Sequence, residues 1–392
     1  MKKKIIFVTK ALWIGGIETA LVNLLNNFDY NTYDVTLLVL HAELDMKEQI
    51  NSKCRLIIID REQTISFNNA YKYKNLYHLT EEPDNPSRLH NMMMWAVPAI
   101  KWIENRLYVR YIRNLMKGES FDTAIIYSDV VAEAAICSVK ADKYLMFYHH
   151  GAMRHVYHDK IAYKKCEKII AVSKNQANEL RKFVPKYEKK IIAIHNLTDV
   201  DGICAKAAEP IVEDFDNTKF NIVSVGRVSH EKGMDIAVRA CAKLVKDGFV
   251  NVCWWIVGDG PAMPEVKQAI SESNMEEYVK LVGMKGNPYP YIKRADLYVQ
   301  PSRFESFGLT IKEAMILEKP ILSTDTLGAK EIIQNQKSGI LCSCDEFDLA
   351  QNIKKFINSS NLFSNISFLH KKSELYNENK RLIEKTEELI GE

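Results

Sequence analysis

The sequence predicts an α/β protein with two doubly wound, parallel-sheet domains that face each other across a cleft. The first observation is a regular alternation of short apolar strands with segments that are apolar at helical spacing, which is typical of parallel sheets covered by helices. The second is that this alternation occurs twice, with a polar, irregular stretch over 201–219 between the two series. The third is the length of 392 residues, which corresponds to two or three domains at about 150 residues each.

The first series predicts a domain over residues 1–200. Its helices are predicted over Ile17–Phe28 and within Trp95–Met116, where apolar side chains recur at helical spacing. Its predicted strands are Lys4–Lys10, Val35–Leu40, Arg55–Ile59, Thr123–Tyr127, Lys143–Tyr148, Lys168–Val172 and Ile191–Ile194.

The second series predicts a domain over 201–368, followed by a C-terminal helix over 369–392 that packs back toward the first domain. Its predicted helices include Met234–Lys246, Met263–Ser273 and Ile311–Leu317. Its predicted strands are Phe220–Val225, Cys253–Val257, Val279–Val282, Leu297–Gln300, Ile321–Ser323 and Gly339–Leu341.

The composition and the cysteines predict a cytoplasmic globular protein. The chain is 47% hydrophobic and 26% charged, which excludes a mostly disordered or a multi-spanning membrane protein. The apolar run Ile5–Val8 is shorter than the roughly seven to fifteen residues of a secretory signal. The eight cysteines are scattered without a CxxC pair or ligand-like histidine spacing, so free thiols in a reducing compartment are expected.

Gly15 and Gly16 follow the first predicted strand and open the first predicted helix. Glycine lets the backbone approach a ligand, and the N–H groups at a helix start favour an anion. A tight strand-to-helix turn explains the pair equally well, because the spacing is not that of a dinucleotide-binding loop.

The segment GRVSHEKG, residues 226–233, follows a strongly apolar strand. Gly226 supplies a turn at the carboxyl end of that strand, and Arg227 and Lys232 are two cations that suit a diphosphate. The alternative is a solvated charged loop. The similar turn VGDGP, residues 257–261, favours a structural role.

The segment PSRFESFGLTIKEA, residues 301–314, joins a strand to a helix that starts near Gly308. Its backbone N–H groups at Phe307, Gly308 and Leu309 are expected to face an anion. Glu305 precedes the helix and Glu313 lies in its second turn, where both can face the cleft. The alternative is a helix-capping and a surface glutamate.

Together these segments resemble the retaining family 4 glycosyltransferases, which have the GT-B fold of two Rossmann-like domains. The resemblance covers nearly the whole chain, in order and in spacing. It is carried by GGIE at 15–18, YHHG at 148–151, AVSK at 171–174, GRVSHEKG at 226–233, VGDGP at 257–261 and the pair Glu305 and Glu313, eight positions apart.

The resemblance implies a role for each matching residue. Arg227 and Lys232 would hold the nucleotide diphosphate, Glu305 would contact the donor sugar, and Glu313 would bind the ribose hydroxyls. One histidine would lie near the reacting sugar, and His150 is favoured over His149, whereas His195 and His230 are expected to be loop or packing residues. The implied nucleotide-sugar-binding residues are Gly15, Gly16, Gly226, Gly283, Met284, Phe307, Gly308, Leu309 and Glu313.

The implied function is retaining transfer of a hexose or N-acetylhexosamine from a nucleotide sugar, taken as UDP-linked, to a saccharide or lipid-linked acceptor in cell-surface polysaccharide synthesis. No metal or other cofactor is expected, because no DxD-type cluster accompanies the two cations. The alternatives are another GT-B enzyme, such as a nucleotide-sugar epimerase or a phosphorylase, and a non-catalytic sugar-nucleotide-binding subunit.

The charge distribution adds a membrane hypothesis. Residues 1–200 have a net charge of +7 and residues 201–392 a net charge of −4. The segment 101–117 is basic, with Arg106, Arg110, Arg113 and Lys117 on one predicted helix face and aromatic side chains, Tyr108 among them, near the same surface. Such a helix can lie on an anionic membrane at its inner face, although a solvated basic face is equally consistent. No motif indicates a nucleic-acid partner.

Overall fold

The computed structural model describes residues 2–41, 43–59, 106–150, 160–213, 215–333, 338–358 and 372–391. The chain divides into two compact units. The first comprises Met1–Trp13, Phe28–Tyr148 and Tyr157–Ile170, and the second comprises Ile14–Asn27, His149–Val156 and Ala171–Glu392. Because both units are discontinuous in sequence, the boundary near residue 201 and the path of the C-terminal helix toward the first domain stay predictions.

A seven-stranded sheet has the strand order β3-β2-β1-β4-β5-β6-β7. Strand β1 lies at its centre and pairs in parallel with both β2 and β4. The strands are β1 (Lys3–Thr9), β2 (Tyr33–Val39), β3 (Arg55–Ile58), β4 (Phe121–Ile126), β5 (Ala141–Tyr148), β6 (Lys168–Ala171) and β7 (Ile191–Ala193). The helices in this part of the chain are α1 (Gly16–Asn26), α2 (106–115), α3 (Ala132–Ser138), α4 (Lys160–Lys165) and α5 (Lys174–Phe183).

A six-stranded sheet in the second unit has the order β10-β9-β8-β11-β12-β13. Its strands are β8 (Phe220–Val225), β9 (Val252–Val257), β10 (Val279–Gly283), β11 (Leu297–Gln300), β12 (Ile321–Thr324) and β13 (Ile340–Cys342). Its helices are α6 (Val200–Lys206), α7 (Met234–Lys246), α8 (Met263–Glu272), α9 (Tyr289–Arg294), α10 (Leu309–Ile316), α11 (Leu327–Ile332), α12 (Glu346–Asn358) and α13 (Lys372–Gly391).

Hydrophobic clusters cover both faces of the six-stranded sheet, which explains why its strands are mostly apolar. The neighbouring residues Trp254 and Trp255 of β9 belong to two separate hydrophobic clusters, because successive side chains of a strand point to opposite faces. Continuous apolar runs are typical of parallel sheets covered by helices on both sides. The predicted α/β architecture of two parallel sheets is therefore confirmed, and every predicted strand is present within a few residues.

Helix α2 carries the described part of the predicted basic helix. Arg106, Arg110, Arg113 and Lys117 are all exposed. The prediction was wrong for Tyr108, which is buried and donates a hydrogen bond from its hydroxyl to the carbonyl oxygen of Leu40 at 2.7 Å. The residues of 101–117 before Arg106, and the tryptophans Trp95 and Trp102, lie outside the described residues.

None of the helices described here combines the length and the apolar character that crossing a lipid bilayer requires.

Candidate functional site

Two loops of the second unit lie side by side because they follow adjacent strands. The first site loop, 226–233, follows β8, and the second site loop, 301–308, follows β11, which pairs with β8 in parallel. The backbone N–H groups of Arg303 and Phe304 both donate to the carbonyl oxygen of Glu231, at 2.7 and 3.2 Å. Ligands of open α/β sheets bind outside the carboxyl ends of the strands, so the two site loops form the candidate site.

Gly233 allows the two site loops to approach closely. Its φ of +64° lies in the left-handed region, which residues with a side chain rarely adopt. A Cβ atom at this position would lie 2.1 Å from the carbonyl oxygen of Pro301. A side chain there would therefore push the second site loop away from the turn that carries Lys232.

Lys232 and Glu305 form an ion pair between the two site loops. The Lys232 Nζ lies 2.7 Å from Oε1 and 2.6 Å from Oε2 of Glu305. The Glu305 side chain is only 9% exposed, whereas that of Lys232 is 26% exposed. A carboxylate as buried as this one needs a charged partner. The structure thus brings together two residues that the sequence assigned to different parts of the donor.

Arg227 lies in the first site loop and is exposed. Within the described ranges its side chain makes neither a hydrogen bond nor an ion pair, although its carbonyl oxygen accepts from the N–H of Ser229 at 2.9 Å. Its guanidinium is charged at any physiological pH and can bind a phosphate through two parallel hydrogen bonds. Of the two predicted diphosphate ligands, one is therefore engaged by a carboxylate and the other is not.

Arg303 and Asp235, which were not predicted as site residues, form an ion pair that stabilises the turn carrying Lys232. Arg303 donates from Nη1 and Nη2 to the two carboxylate oxygens of Asp235, at 2.7 and 2.6 Å, and from Nη1 to the carbonyl oxygen of His230 at 2.9 Å. Burial raises the pKa of Asp235, but Arg303 and Arg239 outweigh burial and lower it to about 2. The signal was present in the sequence, since Asp235 and Arg303 carry opposite charges and follow strands that the fold makes adjacent.

The turn at 257–261 packs against the first site loop. A Cβ atom at Gly258 would lie 1.9 Å from the carbonyl oxygen of Gly226, and one at Gly260 would lie 2.4 Å from that of Val228. Val228 also donates its N–H to the carbonyl oxygen of Asp259 at 3.0 Å. These contacts favour the structural role that the sequence suggested for this turn.

Helix α10 begins at the end of the second site loop without a side-chain cap. The N-cap residue is Gly308, which has a φ of +88° and no side chain that could cap the first turn. A Cβ atom at Gly16 would lie 3.6 Å from Leu309 Cδ1, so the start of α1 lies beside the start of α10. Helix starts leave backbone N–H groups for an anion, and the anion-binding role of Phe307, Gly308 and Leu309 stays a prediction.

Glu313 lies in the second turn of α10 and is 6% exposed. The hydroxyl of Tyr289 donates a hydrogen bond to its Oε1 at 3.3 Å. Burial raises the pKa of Glu313 to about 7, and the hydrogen bond from Tyr289 offsets burial only in part. Glu313 therefore changes its charge near neutral pH, which the sequence alone did not indicate.

A buried polar network lies beneath the start of α10. Gln300, which is 1% exposed, donates from Nε2 to Ser302 Oγ at 2.7 Å and accepts from Thr310 Oγ1 at 3.0 Å. Thr324 Oγ1 donates to the carbonyl oxygen of Gln300 at 3.2 Å. Buried networks whose hydrogen bonds are all satisfied rigidify their surroundings. The network therefore keeps the end of β11, from which the second site loop begins, rigid.

The remaining predicted residues are placed as follows. His149 is buried at 5% exposure, whereas His150 is partly exposed and accepts a hydrogen bond at its carbonyl oxygen from Gln176 Nε2 at 2.7 Å. Gly283 has a φ of +77° and accepts from the N–H of Gly258 at 2.8 Å, and Met284 is 58% exposed. The choice of His150 and the role of Gly283 and Met284 stay predictions.

The described residues contain no group of three or more His, Cys, Asp and Glu side chains that could hold a metal ion. The expectation that the protein needs no metal remains untested by this observation.

Comparison with known proteins relates the second half of the chain to a sequence family. Residues 206–379 match the family described as "Glycosyl transferases group 1". A stretch of 204 residues is 30% identical to the N-acetylgalactosamine-N,N'-diacetylbacillosaminyl-diphospho-undecaprenol 4-alpha-N-acetylgalactosaminyltransferase of Campylobacter jejuni, and it covers 52% of this chain and 54% of that protein. The amylovoran biosynthesis glycosyltransferase AmsK of Erwinia amylovora is 34% identical over 130 residues, which is 31% of each protein. The chain spans about half the length of the first relative and less of the second.

Several solved structures are similar over nearly the whole chain. The crystal structure of Anabaena Alr3699/HepE in complex with UDP and glucose has a TM-score of 0.70 and covers 98% of this chain and 99% of its own, at 16% identity.

Proposed function

We propose, on the premise that the chain has the GT-B fold and that residues 206–379 belong to the group 1 glycosyltransferases, that the protein is a retaining glycosyltransferase. It moves a hexose or N-acetylhexosamine from a nucleotide sugar, UDP-linked, to a saccharide or lipid-linked acceptor in cell-surface polysaccharide synthesis. The UDP and glucose in the similar HepE structure and the lipid-linked acceptor named for the Campylobacter relative support this choice.

The observation that carries the proposal is the convergence of Lys232, Glu305 and Arg227 on two adjacent site loops. Glycosyl transfer breaks the bond between the anomeric carbon and a diphosphate oxygen, and negative charge grows on the departing diphosphate. Lys232 and Arg227 are suited to stabilise that charge, together with the N–H groups at the start of α10. Glu305 then accepts hydrogen bonds from the sugar hydroxyls next to the diphosphate.

Glu305 is not assigned as a nucleophile in this mechanism. Its two carboxylate oxygens are both within 2.7 Å of Lys232 Nζ, and such an ion pair lowers the nucleophilicity of the carboxylate. Transfer with retained configuration instead proceeds on one face of the sugar, where the leaving phosphate takes the proton of the acceptor hydroxyl. The two cations and the helix start offset the diphosphate charge, so we propose that no metal is required.

The alternative functions predict different results in activity assays. A nucleotide-sugar epimerase converts its donor without an acceptor, a phosphorylase needs phosphate, and a non-catalytic subunit binds sugar nucleotides without turnover. A thermal-shift screen over UDP-, GDP- and ADP-sugars identifies the donor, because binding stabilises the folded state by mass action. Donor hydrolysis and transfer are then measured for the wild type, Lys232→Ala and Glu313→Ala, with Lys246→Ala as the exposed control on α7. Unchanged turnover in the first two variants contradicts the site assignment.

We further propose that the protein is cytoplasmic and binds the inner face of the cell membrane through α2. Tyr108, Ile112 and Met116 form the buried side of this segment. The basic residues are on the exposed side together with Leu107, which is 48% exposed. A cationic surface with exposed apolar side chains is typical of helices that bind anionic lipids.

The membrane proposal is tested with vesicles that contain anionic lipid. Arg113 donates to the carbonyl oxygen of Cys137 at 2.7 Å, so the charge-reversed variant changes Arg106, Arg110 and Lys117 to Glu and leaves that bond intact. At about 1 kcal/mol for each basic residue near the surface, the variant should bind about a hundredfold more weakly. The control reverses the exposed Lys47, Lys53 and Lys140. Equal binding of both triple variants contradicts the proposal.

A further inference from the structure

His195 lies between two carboxylates of the second unit. Its Nε2 is 2.6 Å from Glu331 Oε1 on α11, and its Nδ1 is 3.1 Å from Glu378 Oε1 on α13. The His195 side chain is 22% exposed and that of Glu331 is 11% exposed. The sequence predicts a loop or packing residue at this position. His195 does lie in the loop after β7, but its ring joins two helices by polar contacts.

The two carboxylates favour a protonated ring at His195. A neutral imidazole has one N–H, so its other nitrogen would direct a lone pair at a carboxylate oxygen, whereas an imidazolium donates to both carboxylates. Lys312 Nζ lies 2.9 Å from Glu378 Oε2, and with His195 protonated the two carboxylates are matched by two cations. Burial lowers the pKa of His195, but the hydrogen bonds to Glu331 and Glu378 outweigh burial and raise it above its usual value.

The cluster packs directly against Phe307 of the second site loop. The centroids of the His195 and Phe307 rings are 5.2 Å apart, and Lys312 Nζ lies 5.3 Å from the Phe307 ring centroid. Phe307 is 2% exposed. Its ring is therefore held by two members of the charged cluster, while its backbone lies at the start of α10.

Helix α11 links the same cluster to the second site loop by its backbone. Gly328 donates its N–H to the carbonyl oxygen of Glu305 at 3.0 Å, and a Cβ atom on Gly328 would lie 2.4 Å from the carbonyl oxygen of Phe307. Glu331, one turn later, binds His195 and also accepts from the N–H groups of Lys174 and Asn175 at 2.9 and 3.0 Å. A shift of α11 would thus move the backbone beside Glu305 and Phe307.

We propose that His195 is a positioning residue of the donor site, whose protonated ring ties α11 to α13 and so holds the backbone of Phe307 and Gly308 in place for the donor. The expected effect of His195 on donor binding rests on the proposed function. The profile of donor affinity against pH then has an acidic limb and an alkaline limb. It rises as Glu313 ionises and falls as His195 loses its proton at higher pH. Glu331, Glu378 and Lys312 are the charged groups that face His195 from the packed helices.

The affinity for UDP is measured by calorimetry from about pH 5.5 to about pH 9. His195→Gln, which cannot be protonated, should bind UDP about tenfold more weakly at low pH and lose the alkaline limb. Glu378→Gln removes one carboxylate and should move the alkaline limb to lower pH. His41→Gln, which changes a histidine of the first unit, is the control. A purely structural role would weaken binding equally at every pH, so a His195→Gln profile parallel to the wild type overturns the inference.

A second measurement tests the positioning role without any donor. The N–H groups of Ile311 and Lys312 donate to the carbonyl oxygen of Gly308, and that of Gly328 donates to Glu305. Hydrogen exchange at these three amides should be about tenfold faster in His195→Gln than in His41→Gln. Equal exchange overturns the inference whichever donor the protein uses. Faster exchange in a protein that binds no sugar nucleotide contradicts the proposed function alone.

Discussion

The ion pair between Lys232 and Glu305 can be tested by removing one partner or both. Lys232→Met leaves the Glu305 carboxylate, at 9% exposure, without its cation. Hydrogen bonds to charged groups contribute about 1.5–3 kcal/mol, and because Lys232 is a quarter exposed we expect a loss near the low end, about 2 kcal/mol. Glu305→Gln leaves a lysine that can turn toward water, for about 1 kcal/mol. The double variant leaves neither charge without a partner, and its free energy of unfolding should fall by about 1.5 kcal/mol. The coupling energy between the two residues is therefore about 1.5 kcal/mol.

The assay is urea unfolding followed by tryptophan fluorescence, to which the buried Trp254 and Trp255 of β9 contribute. The control cycle uses Lys182 and Glu179, an ion pair on α5 whose side chains are 70% and 31% exposed. Exposed pairs of this kind have coupling energies of about 0.3 kcal/mol. If the cycle at Lys232 and Glu305 gives a coupling energy no larger than that of the control, the two site loops are not joined as described.

Three further predictions concern Glu313, Gly233 and metal dependence. Because burial raises the pKa of Glu313 to about 7 from 4.5, the folded state binds a proton that the unfolded state releases, and the free energy of unfolding should fall by about 3 kcal/mol as pH rises from about 4.5 to about 7. Glu313→Gln should lack this fall in chemical denaturation and should also lack the rise in UDP affinity through the same range; retention of either contradicts the assignment. Gly233→Ala should lower the free energy of unfolding by about 3 kcal/mol or more, because it adds a 2.1 Å clash to backbone strain. The control Gly248→Ala, at a position with a φ of +92° and no atom within 4 Å of the added Cβ, should lower it by about 1 kcal/mol. Equal losses in the two variants refute the close approach of the loops. Transfer should continue at its full rate in a chelator, and loss of activity that a divalent ion restores would show that a metal is needed.

The fold was accessible from the sequence because the strands of a parallel sheet covered on both sides are continuous apolar runs. Segments such as Phe220–Val225 and Leu297–Gln300 have the predicted bounds in the structure. Their adjacency in the sheet places Lys232 and Glu305 within reach of each other, although each was assigned from its own motif. The strand order itself was not read from the sequence, so the ion pair was not predicted.

The contacts that depend on distant parts of the chain were not accessible. His195 acquires its partners from Glu331 and Glu378, which lie 136 and 183 positions further along the chain, and no local pattern joins these residues. The pKa of Glu313 depends on how deeply α10 is buried, and a helical glutamate has the same sequence signature whether it is exposed or not. Tyr108 was expected near the basic surface of its helix, but its hydroxyl donates to the carbonyl oxygen of Leu40 inside the first unit, and this distant partner has no local sequence signal.

The central claim is that Arg227 and Lys232 bind the diphosphate of a nucleotide-sugar donor. Calorimetric titration of UDP into the wild type, Arg227→Ala, Lys232→Ala and the exposed control Lys246→Ala tests it most directly. We predict that each of the first two variants binds UDP at least about tenfold more weakly, because each loses a charge-assisted contact of about 1.5 kcal/mol or more, while Lys246→Ala binds as the wild type does. Equal affinity for UDP in all four proteins would contradict the account.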